Sequence, residues 1–478
     1  MRSTVIGGVV LAACTFARAI DAQEYDLAIR HARVLDVRTG QVLVDHDILV
    51  RAGIISAVRP ARSGTLRARR SIDARGRLVT PGLVDVHLHL CNILCSASGP
   101  DSLPITSNPD SIARYRAMLG AAYLPYGVTT VRDAGTDERA MPLILALTRR
   151  SPSAPDFHPV GAHLISPQGA RQPVPWQVEV RDSAAAAAKV RSYHDQGIRD
   201  IKLYWRLREP EFRGALLEAQ RLRMNVVGHV DQGVMTIDRA IDLGLRHFEH
   251  IHPLGYSVLT DADFGRLMAQ VPRTLGVVPP RFPPTALYMN VPEIFSYLGP
   301  DDPRILALLE KFRATGSTVT PTVHLFAQRY GLTYFESAPR DSTENTSVWT
   351  ALQRERTRAG YRIMVSYVKR MHDLGVRLNT GSDAADPGKA VLSEMLLLHE
   401  AGIPMAAVFR IASLDSATGI GRGSDFGAVE AGMRAHLILF GGEPLSQPMD
   451  LLGTKLVIKD GVVVSGSVDT VPQHNEEL

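Results

Sequence analysis

The chain of 478 residues predicts an α/β protein: a (β/α)8 TIM-like barrel with a small β-sandwich domain formed from both chain ends. Three observations carry this. Eight short apolar stretches recur through the middle of the chain, good helix formers lie between them, and strand-like alternation marks both ends. The division that follows is a leader over 1–22, β-domain strands over 23–80, the barrel over 81–425 and the returning β-domain over 426–478.

Composition permits a large core, since 45% of residues are hydrophobic. A net charge of +4 from 53 basic and 49 acidic residues leaves no strong field, and no dense basic run with interleaved aromatics occurs. Nucleic acid is excluded as an expected partner. The leader, "MRSTVIGGVVLAACTFARAIDAQ", has one early Arg, an apolar run and A-x-A at Ala17 to Ala19. That pattern predicts export to the periplasm or medium, with no transmembrane span. "LAAC" at Leu11 to Cys14 also fits a lipoprotein box, so a lipid anchor at Cys14 stays open. Homo-oligomerisation stays open too.

From Tyr25 to about Thr80, "YDLAIRHARVLDV" and "HDILVRAGIISAVRP" alternate, with Gly40 and Gly53 marking turns. The same texture returns in "RAHLILFGGEPL" and "TKLVIKDGVVVSG". The first barrel strand is "PGLVDVHLHL" (81–90), with Asp85, His87 and His89 on one face. The other strands are expected at 127–135, 158–166, 198–205, 225–230, 245–252, 317–323 and 376–384. Cys91 and Cys95 follow the histidine pair, and their spacing leaves pairing, metal ligation or free thiols open. A long Pro- and aromatic-rich connection over 271–304 reads as a lid or a surface insertion.

Ligand-type residues sit at the ends of these strands: His87 and His89 on the first, Lys202 in the fourth, His229 on the fifth, His250 on the sixth, Asp383 on the eighth. A lone strand histidine is more often structural, and Asp383 alone could cap a helix. Closure of a barrel would bring all six to one rim. Lys202 stands out because only seven of the 53 basic residues are lysines. In an apolar strand it is either a buried ion-pair member or an amine with a depressed pKa, able to take up carbon dioxide as a carbamate.

With "IDARGRLVTPGLVDVHLHL", "GVTTVRDAG", "IRDIKLY", "GH", "FEH", "GSDA" and "GAVEAGMRAHLILFGGEPL", the chain resembles the amidohydrolase superfamily over nearly its whole mature length. It is closest in pattern to the binuclear, carboxylated-lysine members of the imidazolonepropionase-related group that includes Xaa-Pro dipeptidases. The resemblance implies that His87, His89 and Asp383 hold one divalent ion, that His229 and His250 hold a second, and that Lys202 bridges them as N6-carboxylysine. Zinc is the expected metal. It further implies a hydrolase of amide (C–N) bonds in a small peptide-like or N-acyl amino acid substrate, acting through a metal-bridging hydroxide with Asp383 as proton shuttle. Tyr204, Arg171 and His324, just past predicted strands, are candidates for gripping the substrate, and His252 is a further neighbour of ligands or substrate. Two positions depart from the pattern: His436 stands where an acidic residue is usual, and Ser382 where Thr is commoner. The competing readings are a lactonase or phosphotriesterase-like ester hydrolase, and a secreted binding protein that no longer turns over.

Overall fold

The computed structural model describes residues 25–62, 66–95, 107–167, 169, 174–230, 234–275, 286–335 and 349–467. The leader with Cys14, and Arg171, lie outside them.

Strands from both ends share one sheet. β1 (Tyr25–Leu35), β2 (Val42–Arg51), β3 (Ile54–Pro60), β4 (Ala68–Asp73) and β5 (Leu78–Pro81) come from the N-terminal part. The order of the sheet continues from β5 to the C-terminal strands 437–440, 455–459 and 462–465. The β-domain expected from both chain ends is thus one connected eight-stranded sheet, with β4 branching from β1. The cause is β5, which pairs in parallel with β1 on one side and antiparallel with 437–440 on the other, Val79 facing both Val34 and Leu439. One face of these strands gathers Leu27, Ile29, Val34, Ile48, Val50, Leu437, Leu439 and Ile458 into an apolar cluster of its own. Within each strand these positions recur at period two, with a register shift in β1 between Ile29 and Ala32.

Between the ends, helices alternate with parallel strands. β6 (Leu83–Leu88) pairs with β7 (Val128–Asp133), and β7 with β8 (Asp156–His158). β9 (His163–Ile165) pairs with β10 (Gln177–Glu179) and β11 (Asp200–Leu203). β12 (Asn225–Gly228), β13 (His247–Glu249), β14 (Thr318–Thr320) and β15 (Arg377–Leu378) follow in register, Lys202 opposite Val227 and His247 opposite Thr318. The two parallel sheets meet at both edges. Val160 bridges to Asp200, and the Val86 and Asp383 amides donate to the carbonyls of Thr380 and His87. All six residues of β6 are buried, as in a strand covered on both faces.

The third expected strand, 158–166, is split into β8 and β9. Gly161 lies in the break because a Cβ there would run into the Tyr193 ring, 2.3 Å away. Within the 271–304 connection, expected as a lid or a surface insertion, Ala286–Leu298 is a helix whose Val291, Ile294 and Phe295 are buried, Phe295 lying 6.1 Å from the Tyr367 ring. Apolar residues at i, i+3 and i+4 give that helix the face it packs. Residues 276–285 lie outside the described set.

Candidate metal centre

The C-terminal ends of the parallel strands carry the polar residues. β6 delivers His87, and His89 follows the strand's last residue; both rings lie within 5.4 Å, edge to face. Asp85, one turn of the pleat earlier, is fully buried and ties the first strand to the eighth. It accepts from the Ser382 amide (3.0 Å), the Ser382 hydroxyl (2.5 Å), the Tyr123 hydroxyl (2.9 Å) and the His87 amide (3.0 Å). Burial alone raises its pKa, and these donors oppose that rise. Asp85→Ala strands several buried donors at once. It is expected to cost about 3 kcal/mol or more, read as a lowered midpoint in urea unfolding with an unchanged slope. A midpoint within error of the parent would mean that the bonds carry no net stability.

Asp383 stands among three imidazoles. Its oxygens lie 3.7 Å from His89 Nε2, 3.9 Å from His87 Nε2 and 4.0 Å from His250 Nδ1. The His250 ring is 4.6 Å from those of both His87 and His229. His250 Nδ1 also meets Thr322 Oγ1 at 2.8 Å, which leaves Nε2 as its free ligand atom. His87, His89 and Asp383 form one group with donor atoms within 4.8 Å of one another; His87, Glu249 and His250 form another. Burial, reinforced by neighbouring cationic groups, holds His87, His229 and His250 well below the usual imidazole range. They are neutral at pH 7 and offer lone pairs, so the donor set fits divalent ions.

Lys202, in β11, is buried beside this set. Burial first, then the Arg132 charge, pushes its amine well below the ordinary lysine range. It touches the carboxylate of Glu249, so the ion-pair alternative has a named partner. Glu249 was not singled out in the sequence. Alternation along a strand puts 249 and 250 on opposite faces, and with them 248, 250 and 252 on one. The backbone breaks that rule: His250 has φ +65° just past the end of β13. Glu249 and His250 therefore both reach the centre, while Phe248 packs into the core 5.2 Å from Phe312. Asp383 is likewise left-handed, at φ +42°. Non-glycine residues held there cost of order 1–3 kcal/mol, a strain that clusters at functional sites.

Two further residues were missed. Arg132 is buried in β7, its Nε donating to the Val86 carbonyl (3.0 Å) and its Nη2 to Glu249 (3.2 Å). The signal was a charge inside an apolar strand. His163, in β9, stacks on Tyr204 at 4.2 Å and lies 5.8 Å from His89. Of the substrate candidates, Tyr204 also meets the His229 ring edge-on at 5.2 Å. His252 lies 5.3 Å from His250 and 5.4 Å from His229, its pKa pushed down to about 3 by burial. His324 is buried past β14, its amide donating to Glu394 at 2.7 Å. His247, a neighbour in sequence, bonds Thr318 at the far end of β13 and stays apart from the cluster. Cys91 and Cys95 form a disulfide directly after His89.

No protein-family profile matches the chain. An adenine deaminase of Chelativorans sp. (strain BNC1) is 40% identical over 146 residues, 30% of this chain. The match spans 24% of that relative, so the chain shares about a quarter of the length of the curated proteins it resembles. A Xaa-Pro dipeptidase solved with methionine bound in its active site superposes with a TM-score of 0.61 at 18% identity, covering 91% of this chain and 99% of that one. An adenosine deaminase from Xanthomonas campestris, solved with bound zinc, gives a TM-score of 0.57 at 16% identity over 94% of this chain and 95% of that one. At these identities the likeness is one of fold.

Proposed function

We propose, starting from the amidohydrolase superfamily that the matched stretch and the shared fold support, that the chain is a metal-dependent hydrolase of amide C–N bonds in small peptide-like or N-acyl amino acid substrates. The carrying observation is the meeting of His87, His89, Lys202, His229, His250 and Asp383 at one end of the parallel strands, which we read as the rim of a (β/α)8 barrel. His87, His89 and Asp383 would hold one ion, His229 and His250 the other. Lys202 would join them as a carbamate, its neutral amine adding carbon dioxide and releasing a proton. Glu249, against Lys202 and Arg132, is the counter-group that orients the lysine. Divalent ions, zinc first among them, would supply Lewis acidity and acidify the attacking water.

The chain's own residues do the rest. Asp383 takes the proton of the attacking water on one carboxylate oxygen and returns it to the leaving amine. Its place supports this, since its oxygens lie within 4.0 Å of His87, His89 and His250, beside the groups that would hold the metal-activated water. Tyr204, its ring packed against those of His163 and His229, is the residue we assign to substrate binding. Purified protein is expected to carry two divalent ions by elemental analysis, and His229→Ala to lose one of them. A single ion in fully active protein would overturn the binuclear reading.

The experiment that tests the function is a screen of dipeptides, N-acyl amino acids, lactones, phosphotriesters and adenine with the metal-loaded protein. Turnover confined to the first two classes is expected. Turnover confined to esters would refute amide specificity. Release of ammonia from adenine would favour a second reading, hydrolytic deamination, for which the 40% identical stretch is the specific observation. Export is part of the same proposal and is supported by the Cys91–Cys95 disulfide, a bond at home in oxidising compartments. No helix among the described residues is long and apolar enough to cross a membrane. Mass spectrometry of the N-terminus is expected to find a start within Ile20 to Gln23, or a lipidated Cys14; an intact Met1 in cytoplasmic protein would refute both.

A further inference from the structure

We propose a second small-molecule site, at the end of the parallel strands opposite the histidines, for a multiply charged oxyanion such as a phosphate ester or a di- or tricarboxylate. A cavity of about 730 Å³ opens there. Its lining includes Asp156, Asp200 and Asn225, the first residues of β8, β11 and β12. His87 and His229 stand at or just beyond the other ends of such strands, so the two sites face away from each other.

Arginines dominate the wall: Arg150, Arg199, Arg223, Arg422 and Arg434 all line it. Arg434 is committed, held by Asp156 and by both oxygens of Asp460. The other four are exposed. Arg199 spends Nη1 on the carbonyls of His194 and Ile198, and Arg422 reaches Asp425 only at 3.5 Å. Arg150 and Arg223 make no ion pair among the described residues. Of the three lining carboxylates, Asp156 is taken by Arg434 and Lys459, Asp200 faces Arg132 at 3.9 Å, and Asp425 lies 3.5 Å from Arg422. The cavity is thus left with an excess of guanidinium groups, which repel one another until an anion enters. Their planar forks match carboxylate and phosphate oxygens in pairs.

Two more features suit an organic anion over a bare ion. Phe157, Ile420 and Phe426 give the wall an apolar part, and the volume lies within the range of pockets that enclose metabolite-sized ligands. His158 lines the same cavity, and its buried Nε2 has no hydrogen-bond partner among the described residues. Burial lowers its pKa to about 4, so at pH 7 it adds no charge to the wall.

The test is calorimetric titration of inorganic phosphate and of succinate, separately, into the metal-loaded full chain. Saturable binding of at least one probe, one per chain and tighter than ~1 mM, is expected. The double variant Arg223→Ala with Arg422→Ala should weaken it about tenfold or more, the scale of a lost charge-assisted hydrogen bond. Arg150→Glu, a separate exposed position, should weaken it as well, and covers the case in which the double variant does not fold. Absence of saturation up to ~10 mM would overturn the proposal. So would undiminished binding in the folded variants, which would put the probe at the histidine cluster. Amide hydrolysis enters neither readout, so failure here is distinct from failure of the proposed function.

Discussion

Lys202→Ala is expected to lose stable binding of both divalent ions together with activity, by more than the ~10–100-fold that loss of an outer-shell partner costs. The side chain is buried, its amine neutralised by desolvation and the Arg132 charge, and it lies beside the donor groups of both clusters. A neutral amine is the form that adds carbon dioxide. Acetate in excess should restore part of the activity by taking the place proposed for the carbamate. Lys202→Arg should not respond, because guanidinium keeps its charge and fills the space. The contact with Glu249 sets up the competing outcome. If Lys202 were only an ion-pair partner, Lys202→Met with Glu249→Gln would restore activity, since replacing both members of a buried pair is often neutral. That restoration, or full activity in Lys202→Arg, would sink the bridging role; elemental analysis alongside steady-state rates decides.

Asp383→Asn is expected to keep the fold and much of the metal yet lose at least ~10²-fold in rate, the scale of a general acid–base group. An amide oxygen can ligate but cannot carry a proton. The residue's left-handed backbone, its amide bonded to the His87 carbonyl and the Ser382 anchor on Asp85 are all retained by Asn, which tolerates that region of φ. Lost rate with metal retained therefore reads proton transfer and not geometry. Near-parental turnover would reduce Asp383 to a ligand.

Most of the parallel strands could be read from the chain because a strand buried on both faces is an apolar run between turn signals, a local property. The His87–His89 pair was legible for the same reason: period-two alternation puts both on one face. The short β15 kept only Arg377 and Leu378 of an expected nine-residue stretch; the Asn379 amide still donates to Val319 on β14, and Thr380 to Asp383 then turn to β6. Strand β10 went unnoticed; its three residues are only half buried and carry no apolar run.

The sequence by itself determined the alternation of strands and helices, the ends that return to one β-unit, and which strands carry histidine, lysine and aspartate. Each of these follows from spacing within a few residues, or from repetition of one texture. Tertiary structure decided what alternation could not. It set Glu249 against Lys202, ran Arg132 from Val86 to Glu249 and merged the two ends into one sheet. It also gathered four exposed arginines from separate segments around one cavity. The physical reason is strand closure. At His250 and Asp383 the backbone turns left-handed as each chain segment leaves its strand, held by bonds to Thr320 and His87 on neighbouring strands. A local pattern carries no information about a bond whose partner lies 70 or more residues away.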